Sequence, residues 1–118
     1  MRVMVLVKAT AHSEAGFADT PDDRAMMAEM GRFNDALEAA GIIVMAAGLM
    51  PTSAGRRIAF DGDARNVMDG PFLPADAQVA GFWIWEVADM DEAVAWAARC
   101  PNPMPGGGVL ELRPFYNL

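Results

Sequence analysis

Three segments of this chain carry apolar side chains on both faces of a β-pleat, and no other feature restricts its fold as strongly. They are residues 2–8, 42–47 and 79–87, which read RVMVLVK, IIVMAA and VAGFWIWEV. Successive side chains of a strand point to opposite faces of a sheet, so each of these strands needs apolar cover on both sides. One layer of helices supplies only one of those covers.

Two segments with helical periodicity accompany these strands, one between the first two strands and one after the third. Apolar residues recur at spacings of 4, 3 and 4 between residues 22 and 40, which predicts an amphipathic helix that ends at Gly41. They are Met26, Met30, Phe33 and Leu37. Asp89 followed by Glu92 is typical of a capping box and predicts a second helix that continues to Ala98.

The remaining segments predict a hairpin, a last strand and loops. Residues 56–60 and 65–68 flank the turn Asp61-Gly62-Asp63, which indicates a hairpin with charged outer faces. Residues 109–113 predict a final strand, whereas residues 9–21 show no period and predict a long loop. The predicted order is therefore strand, helix, strand, hairpin, strand, helix, strand.

Without the hairpin this order is βαββαβ, the ferredoxin-like arrangement, in which two helices cover one face of an antiparallel sheet. The pattern therefore predicts an α+β fold with an inserted β-hairpin, organised as a single domain over residues 1–118. The other apolar face of the sheet still needs a cover, and a second copy of the same sheet is the simplest one. We expect a homodimer in which two chains share a barrel-like core.

Composition excludes several classes of function. The chain has 16 acidic and 9 basic residues and a net charge of -7, the wrong sign for binding nucleic acid or an anionic membrane. Cys100 and His12 are the only residues of their types, so neither a disulfide nor a metal site is expected. No phosphate-binding or dinucleotide-binding glycine motif is present, and we expect no cofactor. The first apolar run is too short for a signal peptide, which predicts a cytoplasmic protein.

Short motifs spread over nearly the whole chain carry a family resemblance. Asp69-Gly70-Pro71-Phe72 forms a four-residue signature, and Gly81-Phe82-Trp83 follows it. Lys8-Ala9-Thr10 with Ser13-Glu14-Ala15-Gly16 extends the match to the first part of the chain. On these residues the chain resembles the YCII-related or DGPF-domain family. The resemblance implies a dimeric α+β barrel, and most members of the family have no assigned reaction.

The resemblance also implies a form of catalysis. Some members of the wider family are thought to use a His–Asp dyad in cofactor-free lyase-like or dehydrochlorinase-like chemistry, with the histidine on the first helix. The helix predicted over residues 22–40 has no histidine here. Asp69 matches the signature aspartate, and the resemblance implies that it acts as a base or an orienting carboxylate. His12 would reach Asp69 only if the loop of residues 9–21 folded over the site.

Each candidate residue also has a structural interpretation. An aspartate before glycine and proline, such as Asp69, commonly makes a turn, and His12 fits a solvated loop equally well. Further residues are candidates for substrate binding because they belong to the matched motifs, carry charge on the hairpin or offer an indole. These are Lys8, Glu14, Phe72, Trp83 and Arg65. Their structural alternatives are a strand-end ion pair, packing in the core or at the dimer interface, and a solvated hairpin face.

The sequence leaves three functions open for a protein with a small, mostly apolar pocket. The first is a cofactor-independent lyase or isomerase of small organic acids or phenols, with Asp69 and His12 as catalytic residues. The second is a non-catalytic dimer that binds a small molecule or regulates a partner, which the missing helix histidine favours. The third is a cofactor-free monooxygenase whose aromatic pocket contains Trp83 and Trp85.

Overall fold

The computed structural model describes all of residues 1–118 and contains two antiparallel sheets and three α-helices. The strands are β1 (Arg2–Lys8), β2 (Ile43–Gly48), β3 (Arg56–Asp61), β4 (Ala64–Asp69), β5 (Val79–Glu86) and β6 (Leu110–Pro114). The helices are α1 (Ala11–Glu14), α2 (Pro21–Ala39) and α3 (Met90–Ala97). No helix is long and apolar enough to cross a membrane.

The main sheet has the strand order β2-β5-β1-β6, and every neighbouring pair in it is antiparallel. β1 and β2 both pair with β5, so they run parallel to each other and α2 connects them as the crossover of a split βαβ unit. This order is compatible with the predicted ferredoxin-like arrangement. β3 and β4 form a separate two-stranded sheet, as predicted for an inserted hairpin.

The core lies on one face of the main sheet. Val3 pairs with Trp85 and Val5 with Trp83 across β1 and β5, which places all four side chains on the same face. The ring of Phe33 from α2 meets both indoles edge-on, with its centroid 5.9 Å from that of Trp83 and 6.2 Å from that of Trp85. Such aromatic contacts add to the free energy gained by burying the rings. The predicted helix stripe is confirmed at this point, because Phe33 and Leu37 are both buried.

The opposite face of the sheet is also apolar, as its sequence predicts. Met4 lies opposite Ile84, and Leu6 lies opposite Phe82. All four side chains are only partly buried, and none of them belongs to the core cluster. The molecule is only 19 Å thick in its shortest direction, which corresponds to one sheet and one layer of helices.

The ends of the two long helices follow from their sequences. The Thr20 hydroxyl accepts a hydrogen bond from the N–H of Asp23, and Pro21 is the first residue of α2. Gly41 has a φ of 72°, the left-handed conformation that ends a helix at glycine. Asp89 caps α3 through the N–H of Glu92, but the return bond of the predicted capping box is not formed.

Two further predictions need correction. The segment 9–21 is not a loop throughout, because its residues 11–14 form α1, which begins with a capping box between Thr10 and Ser13. The hairpin was predicted to have charged outer faces, yet Ile58, Phe60 and Val67 are largely exposed on one of its faces. The apolar residues of the hairpin therefore contribute nothing to the core of this chain.

Candidate functional site

A cavity of about 400 Å³ lies between the inner face of the main sheet and the first half of α2. Its lining is mostly apolar, and α1 with the segment that follows it closes one side. The apolar walls include Val7 and Trp83 from the sheet, Met26 and Met30 from α2, and Met104 from the loop before β6. Methionine side chains are flexible and polarisable, so such walls adapt to the shape of a ligand.

His12 and Asp23 form the polar side of this cavity. His12 lies on α1, and Asp23 lies in the first turn of α2. The imidazole Nε2 is 3.1 Å from Asp23 Oδ1. An ionised carboxylate only accepts hydrogen bonds, so a neutral His12 donates its Nε2–H to Asp23 and keeps a lone pair on Nδ1.

Three features of the fold surround the Asp23 carboxylate. Oδ1 accepts the hydrogen bond from His12, and Oδ2 accepts one from the N–H of Ala18 at 3.0 Å. Asp23 lies at the N-terminus of a 19-residue helix, where the peptide dipoles favour a negative charge. Only 8% of its side chain is exposed, whereas 43% of the His12 side chain is exposed. The pair therefore consists of a buried carboxylate and an accessible imidazole.

The pair can be approached from two sides. A second cavity of about 290 Å³ is also lined by His12 and Asp23, together with Asp22 and Asn102. Polar residues predominate in this second cavity, unlike the apolar first one. The imidazole can therefore contact an apolar molecule on one side and polar groups or water on the other.

Asn34 places an amide group in the apolar cavity. Its Oδ1 accepts a hydrogen bond from Trp83 Nε1 at 2.7 Å. The indole N–H can only donate, so this bond fixes which end of the amide faces Trp83. The Nδ2 of Asn34, which has no protein partner, is left as a donor for a bound molecule.

The structure brings together only some of the residues predicted for the site. His12 and Trp83 line the apolar cavity, but Asp69 does not. Asp69 forms an ion pair with Arg56 at the base of the hairpin, and 77% of its side chain is exposed. His12 therefore pairs with Asp23 rather than with Asp69.

The other predicted binding residues also lie outside the cavity lining. Lys8 ends β1, and the Glu14 carboxylate accepts hydrogen bonds from Thr52. Phe72 lies beneath the guanidinium of Arg57. Arg65 donates hydrogen bonds to backbone carbonyl groups at the tip of the hairpin. No group of three or more His, Cys, Asp or Glu side chains is arranged to hold a metal ion.

Sequence reasoning missed Asp23 and Asn34. Asp23 falls near the start of the helix predicted between residues 22 and 40, where an acidic residue is ordinary, and its distance from His12 depends on how the intervening chain folds. Asn34 follows Met26 and Met30 at helical spacing, so a polar residue in an otherwise apolar stripe was the signal that could have revealed it.

Comparison with known proteins shows the family of this chain. The model of the YCII-related domain matches residues 1–116, nearly the whole chain. The chain belongs to the YCII-related family. It is also 31% identical to an uncharacterized protein of Rhizobium meliloti (strain 1021) over 94 residues, which cover 80% of this chain and 76% of the relative.

In this YCII-related protein, the signature Asp69-Gly70-Pro71-Phe72 connects the hairpin to the body of the domain. Asp69 pairs with Arg56, with 3.0 Å between carboxylate and guanidinium. The N–H of Phe72 donates to the Thr52 hydroxyl at 2.9 Å. At Gly70 an added Cβ would collide with the carbonyl oxygen of Thr52. The glycine is therefore required by a close approach of two backbone segments.

Cys100 is unsuited to act as a nucleophile in this protein. It lies just after α3, packs against the core cluster and is partly buried. Burial raises the pKa of the Cys100 thiol from 9.0 to about 11. The thiolate is the reactive form, so the thiol stays protonated and inert near neutral pH.

We expect Gly70→Ala to lower the free energy of unfolding by about 1–3 kcal/mol or more, because the new methyl group cannot fit beside Thr52. Gly31→Ala is the matched control, since an added Cβ there meets nothing within 4 Å and glycine is unfavourable inside α2. This control should gain about 0.5–1 kcal/mol. Urea unfolding followed by tryptophan fluorescence measures the free energy of unfolding of both variants. Equal effects of the two substitutions would contradict the proposed close approach.

At about pH 8, alkylation of Cys100 by iodoacetamide should be about 100-fold slower in the folded protein than in urea. The raised pKa leaves less thiolate at any pH below about 11. The folded-state rate should therefore keep rising with pH after the unfolded chain has levelled off. Mass spectrometry of quenched samples gives both rates. Equal alkylation rates in the two states would show that the Cys100 thiol is accessible and that its pKa is not raised in the folded protein.

Proposed function

We propose that this protein is a cofactor-independent lyase or isomerase in which His12 abstracts a proton from a small, largely apolar acid or phenol. The observation that carries the proposal is the 3.1 Å contact between His12 Nε2 and the buried Asp23 at the wall of the apolar cavity. Histidine is the side chain that most often serves as a general base in enzymes.

In the proposed reaction, the Nδ1 lone pair of His12 takes a proton from an O–H or C–H group of the substrate. The Asp23 carboxylate accepts the hydrogen bond from Nε2–H and stabilises the imidazolium, as the aspartate of a Ser-His-Asp triad does. The electron pair left on the substrate either expels a leaving group or shifts along the molecule. In an isomerisation, the imidazolium returns the proton to a different atom.

The rest of the cavity suits the same substrate class. Apolar walls around Met26, Met30 and Trp83 favour a small aliphatic or aromatic body and exclude water from it. The Nδ2 of Asn34 can donate a hydrogen bond to a carbonyl or phenolate oxygen as negative charge develops there. In the proposed site His12 is the base, Asp23 is the orienting carboxylate and Asn34 is the charge-stabilising donor.

The probe for this function is 5-nitrobenzisoxazole, a small apolar aromatic whose single acidic C–H is removed as the ring N–O bond breaks. The product is a coloured nitrophenolate, so absorbance follows turnover directly. We expect the protein to catalyse this ring opening and His12→Gln to reduce kcat/KM by about 10²–10⁴-fold. Asp23→Asn should reduce it by about tenfold or more, because the ring loses its orienting carboxylate.

Asp35→Asn is the matched control, since it removes the same charge from an exposed position of α2 that lines neither cavity. It should leave kcat/KM unchanged. Full activity of His12→Gln would remove His12 from the proposed mechanism. If the wild type binds the probe, seen as quenching of tryptophan fluorescence, but does not open its ring, catalysis is overturned in favour of a non-catalytic binding protein.

We also propose that two chains associate through the outer face of the main sheet. The partly buried side chains of Met4, Leu6, Phe82 and Ile84 support this, since both long helices pack on the other face. A second copy covers an apolar face with an identical one, and symmetric dimers are the commonest oligomers. The catalytic pair lies on the helix side of the sheet, so each chain would keep its own site.

We expect the wild type to sediment as a dimer at micromolar concentration and Ile84→Glu to sediment as a monomer, because a charge would be buried between the two sheets. The control is Val94→Glu, which adds the same charge at a side chain of α3 that is 57% exposed. That variant should remain dimeric. A monomeric wild type in sedimentation equilibrium would refute the proposed association.

A further inference from the structure

We propose that Glu14 is a positioning residue, which fixes the orientation of His12 by tying α1 to the signature loop 69–72 through Thr52. This inference rests on the proposed function of His12. Glu14 Oε1 accepts a hydrogen bond from the N–H of Thr52 at 3.1 Å, and Oε2 accepts one from the Thr52 hydroxyl. Neither residue lines the apolar cavity, so the pair acts without touching a molecule bound there.

Thr52 is the junction between the two segments. Its hydroxyl donates to Glu14 and accepts the hydrogen bond from the N–H of Phe72. Its carbonyl oxygen lies so close to Gly70 that no side chain fits between them. A chain of hydrogen bonds therefore runs from α1 through Thr52 to the signature loop.

α1 depends on such ties for its position. It has only four residues and none of them is buried, and an isolated helix of that length is not stable in water. His12 and Glu14 are two positions apart, a spacing at which helical side chains point to opposite sides. The Asp23 contact holds one side of α1 and the Thr52 contact holds the other, so the imidazole is kept from turning away from Asp23.

The chemistry of the contact requires a carboxylate. Glu14 offers one acceptor oxygen to each of the two donors of Thr52. A glutamine has a single acceptor oxygen and would lose part of the contact, whereas an alanine would lose all of it. On the other side of the contact, serine keeps the hydroxyl of Thr52 and valine replaces it with a methyl group of similar size.

The test is proton NMR of the His12 ring at one fixed pH, because a chain with a single histidine gives unambiguous ring signals. The reference for a released ring is Asp23→Ala. In Glu14→Ala and in Thr52→Val, we expect the ring signals to move more than halfway from the wild-type positions toward this reference. Thr52→Ser should keep the wild-type positions. The valine variant retains the charge of Glu14, so a shift in it reports position and not lost charge.

The signals of the three indole N–H groups show whether each variant is folded. If Thr52→Val loses their dispersion, Glu14→Gln takes its place, and the proposal then requires a partial movement of the ring signals. Wild-type ring signals in Glu14→Ala would overturn the positioning role of Glu14 while leaving the proposed base intact. If Asp23→Ala itself leaves the ring signals unmoved, the His12–Asp23 pair fails, and the proposed function fails with it.

Discussion

The packing of Phe33 against the indoles of Trp83 and Trp85 determines where everything else in this protein lies. It fixes α2 across β5, the strand that pairs with both β1 and β2. Once α2 is fixed there, Asn34 reaches the indole nitrogen of Trp83, and the N-terminus of α2 brings Asp23 beside the cavity. The cavity lies beside these rings, where α2 faces the sheet with methionine side chains instead of an aromatic ring.

Much of the fold could be predicted because its signals are local and repeated. The positions of the strands, the stripe of α2 and the Gly41 stop each follow from side-chain periodicity or from a single backbone preference, and the structure confirms them. Apolar cover on both faces is not found for β2, an edge strand in which Val44 is 45% and Met45 49% exposed. Two predictions were wrong because their sequence signals are weak. α1 is too short to show a helical period and depends on tertiary contacts. The arginines of the hairpin indicate charged faces, but the apolar side chains of Ile58 and Phe60 lie on one of those faces.

The candidate site was harder to predict because it depends on which carboxylate a folded segment brings to His12. Asp69 belongs to the family signature, yet its ion pair with Arg56 and the contact of Phe72 with Thr52 show that the signature connects the hairpin to the body of the domain. Asp23 carried no signature, and only the fold of residues 13–22 shows that it meets the imidazole. The signature motif is thus explained by the close approach of two backbone segments at Gly70. The His12–Asp23 pair has no sequence motif and becomes visible only in the folded chain.

The two members of that pair lie only eleven positions apart in the chain, and no residue from 8 to 29 belongs to the core cluster. The His12–Asp23 pair and the aromatic packing of the sheet are thus encoded in separate stretches of sequence. Substitutions between α1 and the start of α2 can add, move or remove a base without disturbing the packing around Trp85. A lineage built on this sheet can therefore gain or lose such a pair while the domain continues to fold in the same way.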